Sequence, residues 1–215
     1  MKKTLWTYGD SFTESFNTAK GAFFWVDEYV AWKGYIPKVY GEIISDEMEM
    51  ELVNLGRGGT DNYSIFQSVC DSANLINSND VIIIGWSSCT RFRLVNKFDN
   101  WISIIPMLNR NIRNLEDVSN TTLEEVLINR TKAKYAYEVH SWIKLLNIAF
   151  PNNLIIHWSP LDRIVSKNYI GNLTNITKET NKNIINDHYG EVGHRQLAKI
   201  FIDMINSNTI YTRML

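Results

Sequence analysis

Short unbroken apolar runs alternate along this chain with longer stretches whose apolar positions recur at helical spacing. The first pattern predicts strands buried on both faces, and the second predicts helices that turn one stripe inward. Strands are expected at Thr4–Tyr8, Glu51–Leu55, Asp80–Gly85 and Asn153–Trp158. The clearest is Val81-Ile82-Ile83-Ile84, a β-branched block that suits a central parallel strand. Helical spacing over Tyr35–Glu47 puts Ile36, Val39, Tyr40, Ile43 and Ile44 on one face, and a second helical pattern covers Ile65–Ile76. Thr122, with Glu125 in the capping-box position, predicts the start of a helix running from Leu123 to Ala149. A last amphipathic helix is expected from Gly193 to Asn206, with Leu197, Ile200, Phe201, Met204 and Ile205 inward. The aromatic stretch from Phe12 to Trp32 has no strict period and is expected to cover the sheet or flank a site. Residues 92–120 are irregular apart from the apolar patch Trp101–Pro106, and read as an insertion or lid.

Strands alternating with helices predict a parallel sheet sandwiched between helical layers, and 215 residues suit one such domain over residues 1–215. Apolar residues at 45% and charged residues at 21% fit a globular chain and exclude disorder as its overall state. A net charge of −1 offers no basic footprint, so neither nucleic acid nor an anionic membrane is expected as a partner. No apolar run approaches the ~18 residues of a membrane span, and the N-terminus lacks a signal-peptide core, which predicts a cytoplasmic protein. Cys70 and Cys89 lack metal-like spacing and are expected to be buried reduced thiols. The abundance of Asn and Ile suggests an A/T-rich genome, that of a bacteriophage or low-GC bacterium, with association to a virion as the alternative location.

The candidate chemistry lies in the connections. Gly9-Asp10-Ser11-Phe12 follows the first strand directly, so the sheet presents a hydroxyl at the strand's carboxyl edge, where open α/β sheets bind ligands. The glycine-rich turn from Gly56 to Asn62 follows the second strand, Ser87 the third and Ser159 the fourth. His188 stands just before the last helix as a base for Ser11, so the polar candidates all fall on one edge of the sheet. Each has a plainer use: Asp10 and Ser11 can cap a helix, His140 and His157 sit in structural settings, and Arg91 can be an ordinary ion-paired surface residue.

Across nearly its whole length the chain resembles the SGNH, or GDSL-type, hydrolases. Gly9-Asp10-Ser11 matches the first block of that family, Asn54 through Asn62 resembles the second, and His188 with Gly193-His194 resembles the last. The resemblance implies a flavodoxin-like three-layer α/β/α sandwich and a serine esterase working through an acyl-serine, with no metal and no organic cofactor. It implies Ser11 as nucleophile, His188 as base and an aspartate as its orienter. The amides of Ser11 and Gly59 would bind the oxyanion. A carboxylic ester would be the substrate, O-acetyl groups on carbohydrate among the options.

Two positions depart from the family pattern. The third block, usually Gly-x-Asn-Asp, here reads Gly85-Trp86-Ser87-Ser88-Cys89-Thr90-Arg91, which puts Ser87 in place of the asparagine as third oxyanion donor, with Asn62 or Arg91 as substitutes. The family's acid position is occupied by Ile185, leaving Asp187, adjacent to His188, as the orienter. Glu191 with His194 forms a rival acid and base at the usual spacing; His188 is preferred for its place ahead of the last helix. These departures motivate a second expectation, a catalytically weak or inactive binding or structural protein on the same fold, for example a virion component contacting glycans.

Overall fold

The computed structural model describes residues 2–19, 24–88, 91–95, 101–104, 132–160 and 188–207. The strands are β1 (Thr4–Gly9), β2 (Glu51–Gly56), β3 (Val81–Gly85), β4 (Phe92–Val95), β5 (Trp101–Ile104) and β6 (Leu154–Trp158). The helices are α1 (Phe16–Ala19), α2 (Phe24–Lys33), α3 (Tyr40–Glu47), α4 (Asn62–Ser72), α5 (Lys132–Ala149) and α6 (Glu191–Ser207), with a 3-10 turn at Ala73–Leu75.

Four strands pair in parallel in the order β2-β1-β3-β6, with Leu5 opposite Leu52 on one side and Val81 on the other. The chain fills one side of β1 with β2 and then crosses to the other side with β3. The boundary between β1 and β3 is therefore the switch point at whose carboxyl edge such sheets bind ligands.

The period of two along each strand divides the apolar residues between two layers. Leu5, Val81, Ile83 and Ile156 face Tyr40, Ile43 and Ile44 of α3 and Leu197, Phe201 and Ile205 of α6. Trp6, Tyr8, Ile82 and Ile84 face Ile65 and Val69 of α4 and Val139, Ile143 and Leu146 of α5. Helices thus cover both faces of the sheet, giving the three-layer α/β/α arrangement. All five residues of β3 are buried, as a central parallel strand requires. A smaller cluster of Phe16, Ala19, Val26, Tyr29 and Val39 joins α1 and α2 to the start of α3.

Several elements differ from the sequence expectation. The helix expected from Tyr35 begins only at Tyr40, because Pro37 resists a helix interior and Val39 is extended, with φ −82° and ψ 163°. The aperiodic aromatic stretch contains α1 and α2, which pack on few residues and so need no full apolar stripe. Within 92–120, β4 and β5 form an antiparallel pair with Phe92 opposite Ile104. Thr122 and Glu125 lie outside the described residues, and α5 is described from Lys132. Cys70 is a free and exposed thiol on α4, not a buried one, while Cys89 lies outside the described residues. Among the described residues no helix is long and apolar enough to cross a membrane.

Candidate functional site

The carboxyl ends of three neighbouring strands are glycines, and the turn residue Thr13 comes close to each of them. Thr13 folds back under the turn that follows β1, so a Cβ at Gly9 would stand 2.2 Å from its Oγ1. One at Gly56 would meet the Thr13 and Glu14 backbone at 2.6 Å, and one at Gly85 would meet Trp158 Nε1 at 2.9 Å and Thr13 Oγ1 at 3.0 Å. The turn is closed by the amides of Thr13 and Glu14 donating to Asp10 O at 2.9 and 3.0 Å. The Thr13 carbonyl accepts from Asn54 Nδ2 at 2.8 Å, tying β2 to the same turn. Ser11 rides on this turn with 8% of its surface exposed, rigidly backed yet reachable.

Ser11 Oγ lies 2.6 Å from His188 Nε2, across 177 residues of sequence. The imidazole stacks on Phe12 with ring centroids 4.8 Å apart and planes inclined by 19°, and Phe12 in turn meets the edge of Tyr189. A hydroxyl within hydrogen-bond reach of an imidazole held by packing is the geometry of an activated nucleophile. Asp187 lies outside the described residues.

Asp10, the residue before Ser11, is buried. Its Oδ1 accepts from the Phe12 amide at 3.1 Å, while Oδ2 accepts from Ser87 Oγ at 2.8 Å and from Arg91 Nη1 at 2.9 Å. The Ser87 hydroxyl, expected to point at an oxyanion, thus gives its single proton to Asp10. The reason is electrostatic: a buried carboxylate is a far stronger acceptor than any neutral group nearby. The Ser87 backbone is also occupied, because its amide donates to Asn62 Oδ1 at 2.7 Å and its carbonyl accepts from Asn62 Nδ2 at 3.0 Å. Asn62 acts here as a backbone mimic that clamps the end of β3 to the start of α4.

The loop after β2 supplies the second pole of the site. Gly59 has φ +76°, a left-handed conformation that glycine adopts without strain. Neither the Ser11 nor the Gly59 amide has a hydrogen-bond acceptor among the described residues.

The rival histidine is engaged elsewhere. His194 is buried on α6, where its Nδ1 accepts from the Tyr40 amide at 3.3 Å and satisfies one of the unpaired N–H groups that open α3. Glu191 accepts from Tyr35 Oη and from Arg195 Nε, and its carboxylate is held at the surface by that pair. The contacts described for Glu191 and His194 thus run to Tyr35, Arg195 and the Tyr40 amide. His157 is fully enclosed; it accepts from Trp86 Nε1 at 3.2 Å, and burial pushes its pKa down to about 3. It is a neutral core residue. Among the described residues no group of three or more His, Cys, Asp or Glu side chains gathers as metal ligands would.

Sequence reading missed Phe12 as the support of His188, and Glu14, whose Oε2 accepts from the Gly58 amide at 2.8 Å. The available signal was spacing: Glu14 follows Ser11 by one helical turn, which brings it back toward the same edge.

No protein-family model matches the chain, and no curated protein matches it. Among solved structures it is similar to a chain from Desulfitobacterium hafniense DCB-2 described as a "putative lipolytic protein of G-D-S-L family". That similarity covers 92% of this chain and 97% of the other, at 11% identity and a TM-score of 0.37.

Proposed function

We propose that this chain is a serine hydrolase that cleaves carboxylic esters through an acyl-serine intermediate on Ser11. The observation that supports it most is the 2.6 Å separation of Ser11 Oγ and His188 Nε2 at the carboxyl edge of β1. With its proton on Nδ1, His188 accepts the Ser11 proton at Nε2 as the oxygen attacks the ester carbonyl. The resulting imidazolium returns that proton to the departing alkoxide, leaving the acyl group on Ser11. Water activated by the same imidazole then releases the acid and restores the serine.

The developing oxyanion is bound by the Ser11 and Gly59 amides. We assign the orienting carboxylate to Asp187, since Glu191 is committed to Tyr35 and Arg195. Ser87 contributes through Asp10, whose charge it shares with Arg91, and not as a donor to the substrate. O-acetyl groups on carbohydrate belong to the substrate class this chemistry serves.

The test is steady-state hydrolysis of a short-chain aryl acetate by the wild-type chain and by Ser11→Ala. Turnover that disappears in the variant supports the reading. A wild-type chain without turnover, yet retained on an acetylated glycan matrix, favours a binding protein on the same fold.

A further inference from the structure

The turn that carries Gly59 is closed on itself only by the Thr60 amide donating to Arg57 O at 3.3 Å among the described residues. A Cβ built at Gly59 would find no atom within 4 Å, so the Cβ side of the residue whose amide is assigned to the oxyanion faces open space. Its flanking residues, in contrast, are fastened to the turn that carries Ser11. On one side, the Arg57 amide donates to Gly9 O at 3.0 Å and the Gly58 amide to Glu14 Oε2 at 2.8 Å. On the other, Arg91 Nη1 donates to Asp10 Oδ2 at 2.9 Å and to Thr60 O at 3.3 Å, bridging the two segments with one nitrogen. Both bridging side chains come from the site's own surroundings: Glu14 from the turn itself, Arg91 from the residue preceding β4.

We propose that Glu14 and Arg91 are positioning residues that fix the Gly59 amide relative to Ser11 Oγ, Glu14 through Gly58 and Arg91 through Thr60. The proposal rests on the ester-hydrolase reading of the site and adds the parts that set its oxyanion hole. The contacts are costly ones for a fold to keep without a use. Glu14 is partly buried, which pushes its pKa up against the opposing pull of the Gly58 amide and Arg57. Arg91 gives up water, with 12% of its side chain exposed, to neutralise a buried aspartate. A donor displaced by a fraction of an ångström meets the ground-state carbonyl nearly as well but the transition-state oxygen poorly, so the loss falls on kcat and not on KM.

The experiment measures kcat and KM on a short-chain aryl ester for the wild type, Glu14→Ala, Glu14→Gln and Arg91→Ala, at a temperature where melting curves show each folded. Glu14→Ala is expected to lower kcat about 10- to 100-fold with KM within about twofold, as a misplaced catalytic group does. Glu14→Gln keeps a carbonyl oxygen for the Gly58 amide and is expected to stay within about threefold of wild type. Arg91→Ala should behave as Glu14→Ala does. Wild-type kcat in Glu14→Ala, a loss carried by KM, or Glu14→Gln as slow as Glu14→Ala overturns the proposal while leaving the ester-hydrolase reading intact. A wild-type chain that neither turns over aryl esters nor labels at Ser11 with a fluorophosphonate overturns that reading, and the positioning role with it. Should Arg91→Ala not fold, the Glu14 pair decides alone.

Discussion

The imidazole of His188 lies nearly flat against Phe12, the residue that immediately follows the nucleophile, with 4.8 Å between ring centroids. One backbone turn therefore presents the Ser11 hydroxyl and supports the imidazole that lies beside it. Replacing Phe12 by Leu keeps most of the buried volume but removes the flat face. We expect Phe12→Leu to lower kcat about 10-fold while costing less than about 1.5 kcal/mol, the range of volume-conserving core changes. Kinetics combined with urea unfolding check both halves; a large stability loss at unchanged kcat would assign Phe12 to packing only.

His188 and His194 are predicted to separate cleanly. His188→Ala removes the proposed general base and should lower kcat by about 10²- to 10⁴-fold, with little change in melting temperature. His194→Ala strands the Tyr40 amide at the start of α3. It should cost about 1–3 kcal/mol, the penalty of an unpaired buried donor, with kcat within about threefold of wild type. The reverse ordering of the two variants would transfer the base to His194.

Ser87 offers a test of the rearranged third block. Because its hydroxyl donates to Asp10 Oδ2, Ser87→Ala removes a hydrogen bond to a charged group, worth about 1.5–3 kcal/mol of stability. Its kcat should fall far less than the 10²- to 10³-fold typical of a lost oxyanion donor. A kinetic loss of that larger size with unchanged stability would return Ser87 to the oxyanion hole.

The strand frame was legible because parallel strands buried on both faces must be apolar throughout, as Val81 to Ile84 are. The closeness of Ser11 and His188 was legible for a related reason: a strand end and a helix start on one sheet edge are places where a polar residue has to be accounted for. What stayed hidden depends on tertiary partners. Nothing local to Ser87 announces that a buried carboxylate at position 10 will take its proton, or that Asn62 will bind its backbone. Likewise Glu191 looks like an acid paired to His194 until Tyr35, distant in sequence, and Arg195 are seen to hold it. α3 starts later than its apolar spacing at Ile36 and Val39 suggests for a local reason, since Pro37 resists a helix interior and Val39 is extended.

Acid should weaken the fold through His157. Its folded pKa is lowered to about 3 from an ordinary 6.5 by burial, so between those values the unfolded chain binds a proton that the folded chain does not. Its contribution is complete above pH 6.5 and declines as the pH falls toward 3, by up to about 1.4 kcal/mol per pH unit. Urea midpoints measured between pH 7 and 5 should fall on acidification and fall less steeply in His157→Gln. Midpoints that rise over that interval would contradict the neutral, buried assignment.

The central claim, that Ser11 is a nucleophile activated by His188, is tested most directly by intact-mass analysis after incubation with a fluorophosphonate. The account predicts one adduct per wild-type chain, mapped to the peptide containing Ser11, absent in Ser11→Ala and strongly slowed in His188→Ala while both variants remain folded. An unmodified wild-type chain, or an adduct that persists in Ser11→Ala, would contradict it.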